Sequence, residues 1–268
     1  SNGTSSRAET YVHIAFTHNG LRRLGCPRSV LDGFSNEFRF GMTTAHRRRV
    51  LGDTGASDPA AWDWGGPSVP VDAVLMIYAR DDTALADQVD ALQLDLFSGA
   101  VRVLDALETT WLPGGKEHFG FSDGISTPPM AGLSKASGDD SAIKPGEFVL
   151  GYENEYGRIT PRPLVDPRLD PYERLPEDTE GSGKRDFGRN GTYLVFRQMS
   201  QDVPLFWQSV EEAANANGTN DPVKLAAKMV GRWPGGAPLT LAPDRDDPDF
   251  ARATRFLYHG KDREGRGC

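Results

Sequence analysis

The sequence predicts an α+β protein built from layers of strands and helices. Two observations carry that prediction. Apolar runs with strand character alternate with helical periodicity from residue 11 to residue 112, and the same order restarts after residue 147. A third divides the chain: residues 127–147, "TPPMAGLSKASGDDSAIKPGE", are dense in Pro, Gly, Ser and Asp, as a connection is. A length of 268 residues suits one large domain or two ordinary ones. Two are expected here, 1–135 and 136–268.

"YVHIAFT" (11–17) reads as a strand with Val12, Ile14 and Phe16 on one face, followed by a turn at "NGLRRLG". Ser35 is placed to cap a helix through "NEFRFGMTTAHRRR", because Phe38, Met42 and Ala45 recur at one face. "DAVLMIYA" (72–79) is a strand. The helix after it carries Leu85, Val89, Leu92 and Leu96 on one side. Residues 101–112, "VRVLDALETTWL", return to strand. In the second half "EFVLGYE" (147–153) reads as a strand, then comes a long polar loop, 153–190, of a length usually reserved for function or mobility. "GTYLVFRQ" (191–198) has the two-faced apolarity of a buried strand. It leads into a helix with Val203, Phe206, Trp207 and Val210 on one side, and a further helix begins at Asp221 with Pro222 in its first position.

Hydrophobic residues make up 38% and charged residues 25%, the profile of a globular chain, and no apolar stretch approaches a membrane span. A net charge of −8 argues against a nucleic-acid partner. The one basic cluster, Arg47–Arg48–Arg49, ends a predicted helix, where it offsets the negative terminus; a small docking patch is the alternative. Two cysteines, Cys26 and Cys268, make neither a disulfide framework nor a zinc site. The first residues lack an initiator Met and an apolar leader, so they read as neither a signal peptide nor a natural start, and a targeting segment could have been cut away.

Gly120-Phe121-Ser122-Asp123-Gly124 matches the G-x-S-x-G of serine hydrolases, but "PGGKEH" before it and "STPPM" after it replace the required strand and helix. Ser122 is therefore a minor nucleophile candidate. "GSGKR" (181–185) and "PGGKEH" (113–118) lack the remaining residues of a phosphate loop. "DRDDPDF" (244–250) lacks the glycine and closing Glu of a calcium loop. The histidines, His13, His18, His46, His118 and His259, show no paired metal spacing, and no metal ligand is assigned. A single His can still ligate heme iron, and His118 and His259 lie in loop-like surroundings.

Asp123 is one carboxylate in a glycine-flanked turn among Phe119, Phe121 and Ile125, where a plain Asp-Gly turn is the commonest reading. The longer string "EHFGFSDGISTPPMAG" resembles the signature of the dye-decolourising heme peroxidases. "KPGEFVLGYENEYG", "GRNGTYLVFRQMSQDVPLFW" and "AAKMVGRWPGGAPLTLAP" resemble further stretches of that family in the same order. The resemblance runs from about Tyr11 to the end. It implies two ferredoxin-like modules around heme b, the first ending in the G-x-x-D-G motif and both incomplete in this chain. It also implies Asp123 as the distal acid–base, Gly124, Ile125 and Ser126 against the heme, and hydrogen peroxide and a bulky phenolic or dye-like donor as substrates. Trp207, Trp233 and Tyr193 are then candidates for relaying electrons, with core packing as the commoner role of such residues.

Relative to that family pattern, the opening strand and helix and the C-terminal segment with the proximal His and distal Arg are not found, and Cys268 matches the Cys that begins the latter. Three expectations follow: a piece of a longer polypeptide, favoured; one part of a split peroxidase completed by a companion chain supplying the His; or a non-catalytic ferredoxin-like scaffold.

Overall fold

The computed structural model describes residues 9–96, 99–109, 112–132 and 142–254. The chain forms two compact units, Ser1–Leu107 with Met130–Val195, and Glu108–Pro129 with Phe196–Cys268.

In the first unit β1 (Thr10–Phe16) pairs antiparallel with β2 (Ala73–Ala79), in register from Thr10 opposite Ala79 to Phe16 opposite Ala73. Between them lie four short helices, α1 (His18–Arg23), α2 (Arg28–Leu31), α3 (Asn36–Phe40) and α4 (Ala45–Leu51). Ser35 caps α3 as expected, its hydroxyl accepting from Phe38 N at 3.3 Å. The single helix expected beyond it is instead two. Gly41 takes φ 63°, which ends α3 and redirects the chain before α4. Arg47 and Arg48 turn inward on partners, Glu37 at 2.5 Å and Asp58, so ion pairing occupies most of the basic cluster. The helix predicted from Leu85, Val89, Leu92 and Leu96 is α5 (Asp82–Leu96), whose Gln88 Oε1 lies 2.9 Å from Thr10 Oγ1 on β1.

The segment 153–190 is ordered by charge. β3 (Leu164–Val165) and β4 (Arg185–Asp186) form a two-residue antiparallel pair. Beside them the Arg162 guanidinium is buried against three carboxylates: Nε donates to Asp186 at 2.5 Å, Nη1 to Glu180 at 2.8 Å and Nη2 to Asp178.

Three segments expected as strands are not. Among the described residues, 101–109 and 191–198 form no regular strand, and Val101, Val103, Leu194 and Val195 are exposed; residues 110–111 lie outside the described residues. Both segments have strand composition, which suits pairing but does not by itself make a strand. Residues 147–153 form the end of a 3₁₀ turn (Pro145–Glu147) and a series of bends, with Phe148 N donating to Pro145 O at 3.0 Å.

The second unit centres on α6 (Val203–Ala216) and α7 (Pro222–Val230). Asp202 and Asp221 cap them, accepting from Leu205 N at 2.9 Å and Lys224 N at 2.8 Å, and each helix has Pro in its first turn. Their facing sides enclose a core of Val210, Ala226, Ala227, Trp233, Ala237, Ala242 and Phe121. Phe121 comes from the G-x-x-D-G motif, so the unit's core is also the motif's foundation. No helix of the described residues is long and apolar enough to cross a membrane.

Candidate active site

The motif turn is built from Glu117 outward. Its carboxylate accepts from Phe119 N at 2.8 Å and Phe121 N at 2.9 Å, while its own N–H donates to Phe121 O at 2.9 Å. The main chain is thereby closed on itself, and alternate side chains are sent inward. Phe119 packs on Phe206 with centroids 4.7 Å apart, and Phe121 stacks on Trp207 at 6.2 Å with planes 4° apart. Trp207 Nε1 donates to Phe119 O at 3.2 Å, so the indole braces the same turn with its edge. Burying a phenylalanine contributes about 1.5–3 kcal/mol, which makes these two rings the main hold on the loop.

Past Phe121 the chain comes to the surface. Ser122 is fastened to Pro234 O by both its N–H (3.1 Å) and its hydroxyl (3.0 Å), an anchoring role that commits the hydroxyl. Asp123 N donates to Gly115 O at 3.0 Å. The Asp123 carboxylate is exposed; Oδ1 accepts from Gly124 N at 2.7 Å, and among the described residues Oδ2 has no hydrogen-bond partner. Gly124 has φ 68°, and among the described residues other than its chain neighbours no atom lies within 4 Å of where a Cβ would stand. Ile125 lies against Gly236, and the Ser126 hydroxyl accepts from Arg232 Nη2 at 2.9 Å. Asp123, Gly124, Ile125 and Ser126 are thus consecutive stations on one rim of the second unit.

His118 is exposed next to Glu117, whereas His13 and His18 belong to the first unit, edge-on to Tyr78 and Phe38. His46 lies beside Arg49, and His259 and Cys268 lie outside the described residues. Among the described residues no cluster of His, Cys, Asp and Glu is arranged to hold a metal ion. The aromatic candidates divide: Trp233 is buried with Nε1 donating to Ala242 O at 2.7 Å, Trp207 is half-buried, and the Tyr193 hydroxyl accepts from Ser35 N at 3.0 Å in the first unit. Two contributors were not singled out from sequence. Glu117 works through backbone amides two and four residues ahead, a spacing without a strong signature. Arg232 reaches Ser126 across 106 positions, and its only local signal is its place directly after the helix-ending Gly231.

No family model matches the chain. A dye-decolorizing peroxidase from Mycena epipterygia is 28% identical to it over 269 residues, 95% of this chain and 44% of that protein. A multifunctional dye peroxidase from Amycolatopsis is 28% identical over 282 residues, 99% of this chain and 52% of that one. A solved dye-decolorizing peroxidase in complex with 2,6-dimethoxyphenol shares the fold with a TM-score of 0.67 and 25% identity, over 96% of this chain and 54% of that chain. Over nearly its whole length the chain is similar to dye-decolorizing peroxidases, and it shares their α+β fold, that of ferredoxin-like modules. It spans about half the length of the curated relatives it matches.

Proposed function

We propose that this chain carries the acid–base half of a heme-dependent peroxidase that reduces hydrogen peroxide and oxidises bulky phenolic or dye-like donors. The observation that carries the reading is the presentation of Asp123: an exposed carboxylate on a turn anchored in the core, beside a glycine with an open face. Those residues fit a heme. A planar macrocycle can lie against the Gly124–Ser126 backbone, because among the described residues other than its chain neighbours no side chain occupies that approach at Gly124. When bound, heme supplies the two-electron chemistry that cleaves the peroxide bond. Gly124, Ile125 and Ser126 would hold it on this side.

Asp123 handles the proton. Splitting hydrogen peroxide to water requires a group that removes a proton from one oxygen and delivers it to the other. Asp123 Oδ2, without a hydrogen bond in the turn, is the atom that receives it, while the Gly124 N–H on Oδ1 fixes the plane of the carboxylate. The Phe119 and Phe121 anchors keep the group from swinging away, since the turn moves only if the core opens.

The test is Asp123→Asn in the full-length, heme-loaded protein. Peroxide-dependent dye oxidation is expected to fall by about 10²–10⁴-fold, the usual contribution of general acid–base catalysis, with the Soret band retained. Full activity in the heme-loaded variant removes Asp123 from the mechanism.

A further inference from the structure

We infer that Arg232 is a positioning residue for the Asp123 turn, acting through Ser126; its functional weight rests on the reading of Asp123 given above. Upstream of Asp123 the turn is held by the Glu117 carboxylate, by Phe119 and Phe121 in the core and by Ser122 on Pro234. Downstream the situation differs. Gly124, Ser126, Thr127 and Pro128 are all exposed, and Ile125 alone of these five is half-buried. Arg232 supplies a polar anchor on that side.

Arg232 is 9% exposed and follows Gly231, whose φ of 88° ends α7 and aims the next residue back under the motif. Its guanidinium bonds three separate segments: Nη1 donates to Gly236 O at 2.7 Å, and Nη2 to Ser126 Oγ at 2.9 Å and to Ala253 O at 3.0 Å. The platform beneath it is rigid. Trp233 N donates to Ala237 O at 2.9 Å and Gly236 N to Trp233 O at 2.8 Å, closing a tight turn whose indole is in the core. Gly236 marks how closely the three segments meet, since a Cβ there would stand 2.5 Å from Ala251 O and 2.6 Å from Ile125 Cδ1. A planar, multi-donor guanidinium can serve three acceptors in fixed directions, which the single ammonium of lysine cannot reproduce. The clasp therefore fixes the far end of the 123–126 segment, and with it the setting of the Asp123 carboxylate.

Hydrogen–deuterium exchange followed by mass spectrometry tests this without reference to heme. In Ser126→Ala, which removes one hydroxyl from an exposed residue and leaves the core intact, the hydrogen-bonded amides of Asp123 and Gly124 are expected to exchange about tenfold faster, the effect of losing one charge-assisted hydrogen bond. Ser126→Thr, which keeps the hydroxyl, restores protection, and α6 is unchanged in both. Arg232→Lys is expected to match Ser126→Ala in the motif, and the double variant to exchange no faster than Arg232→Lys alone. Exchange in Ser126→Ala within about twofold of the parent, or full additivity in the double variant, overturns the inference. In the full-length heme-loaded protein, Ser126→Ala lowers peroxide turnover with the Soret band retained and Ser126→Thr recovers it. If exchange changes as expected while Asp123→Asn stays fully active, the clasp stands and the reading of Asp123 fails.

Discussion

Arg162→Met removes the charge that organises residues 153–190, and its cost can be worked from the cluster. The side chains of Arg162, Asp178 and Asp186 are 2%, 1% and 0% exposed, whereas Glu180 is 54% exposed. The Glu180 pair is therefore a screened surface interaction worth at most about 1 kcal/mol. The other two are buried. Without Arg162, Asp186 keeps the Arg189 amide at 2.9 Å, and Asp178 keeps the Glu180 and Ser182 amides at 3.3 and 3.1 Å, but neither keeps a cation at that distance. Stripping one partner from a buried pair costs about 3–5 kcal/mol, and because one guanidinium serves both aspartates the two losses are not summed. We expect about 4 kcal/mol of local stability to be lost at pH 7.

The pH dependence has a defined sign. Hydrogen bonds from Ser182 first, joined by the Glu180 amide and the Arg162 charge, hold the Asp178 carboxyl below its ordinary value although burial pushes the other way. A depressed carboxyl stabilises the fold fully above its unfolded pKa, and that stabilisation is lost as pH falls through the folded value. Removing Arg162 raises the folded value, so the gap between parent and variant narrows as pH drops from 7 toward about 4. The assay is hydrogen exchange of residues 162–189 at pH 7 and at about 4.5, corrected for intrinsic rates, because two compact units make a single global midpoint ambiguous. A loss below about 1 kcal/mol at neutral pH, or one that does not shrink on acidification, refutes the reasoning.

Glu117→Ala removes the acceptor of two backbone amides at the motif and is expected to cost about 2–3 kcal/mol, with Glu117→Gln losing less; hydrogen exchange within the second unit checks the order, which unchanged exchange for Ala contradicts. Gly236→Ala combines φ 108° with a Cβ 2.5 Å from Ala251 O, so a loss of at least about 2 kcal/mol is expected by the same measurement, and a neutral result would show that the junction is loose.

What was legible in the sequence followed local rules. The helices α5, α6 and α7, the Asp221 cap and the strands β1 and β2 all formed where residue patterns put them. Gly41 shows the limit of periodicity: Phe38, Met42 and Ala45 kept their spacing while one positive-φ glycine split the helix between them. Residues 101–109 and 191–198 show a different limit, since strand propensity names a segment suited to pairing but does not supply the neighbour. At the site, Asp123 and its flanking glycines stood out in the motif string, but their supports did not. Arg232 acts across 106 positions and Glu117 through main-chain amides, and neither relation leaves a local pattern.

The same chain treats its carboxylates in two opposite ways, and the contrast bears on Asp123. Asp178 and Asp186 are buried, and their charge is spent on a guanidinium and on backbone amides; they hold structure. Asp123 is exposed, and its turn is held by other groups, the Phe119 and Phe121 rings, the Glu117 carboxylate and the Ser122 hydroxyl. None of those supports uses the Asp123 charge, so a change of that charge leaves the loop that presents it in place. An acid–base group needs that independence, since it changes charge during turnover while its position must stay fixed. Neutralising Asp123 should therefore leave the fold almost untouched, whereas neutralising Asp186 should not, and that difference separates the carboxylate we propose for acid–base work from those that build.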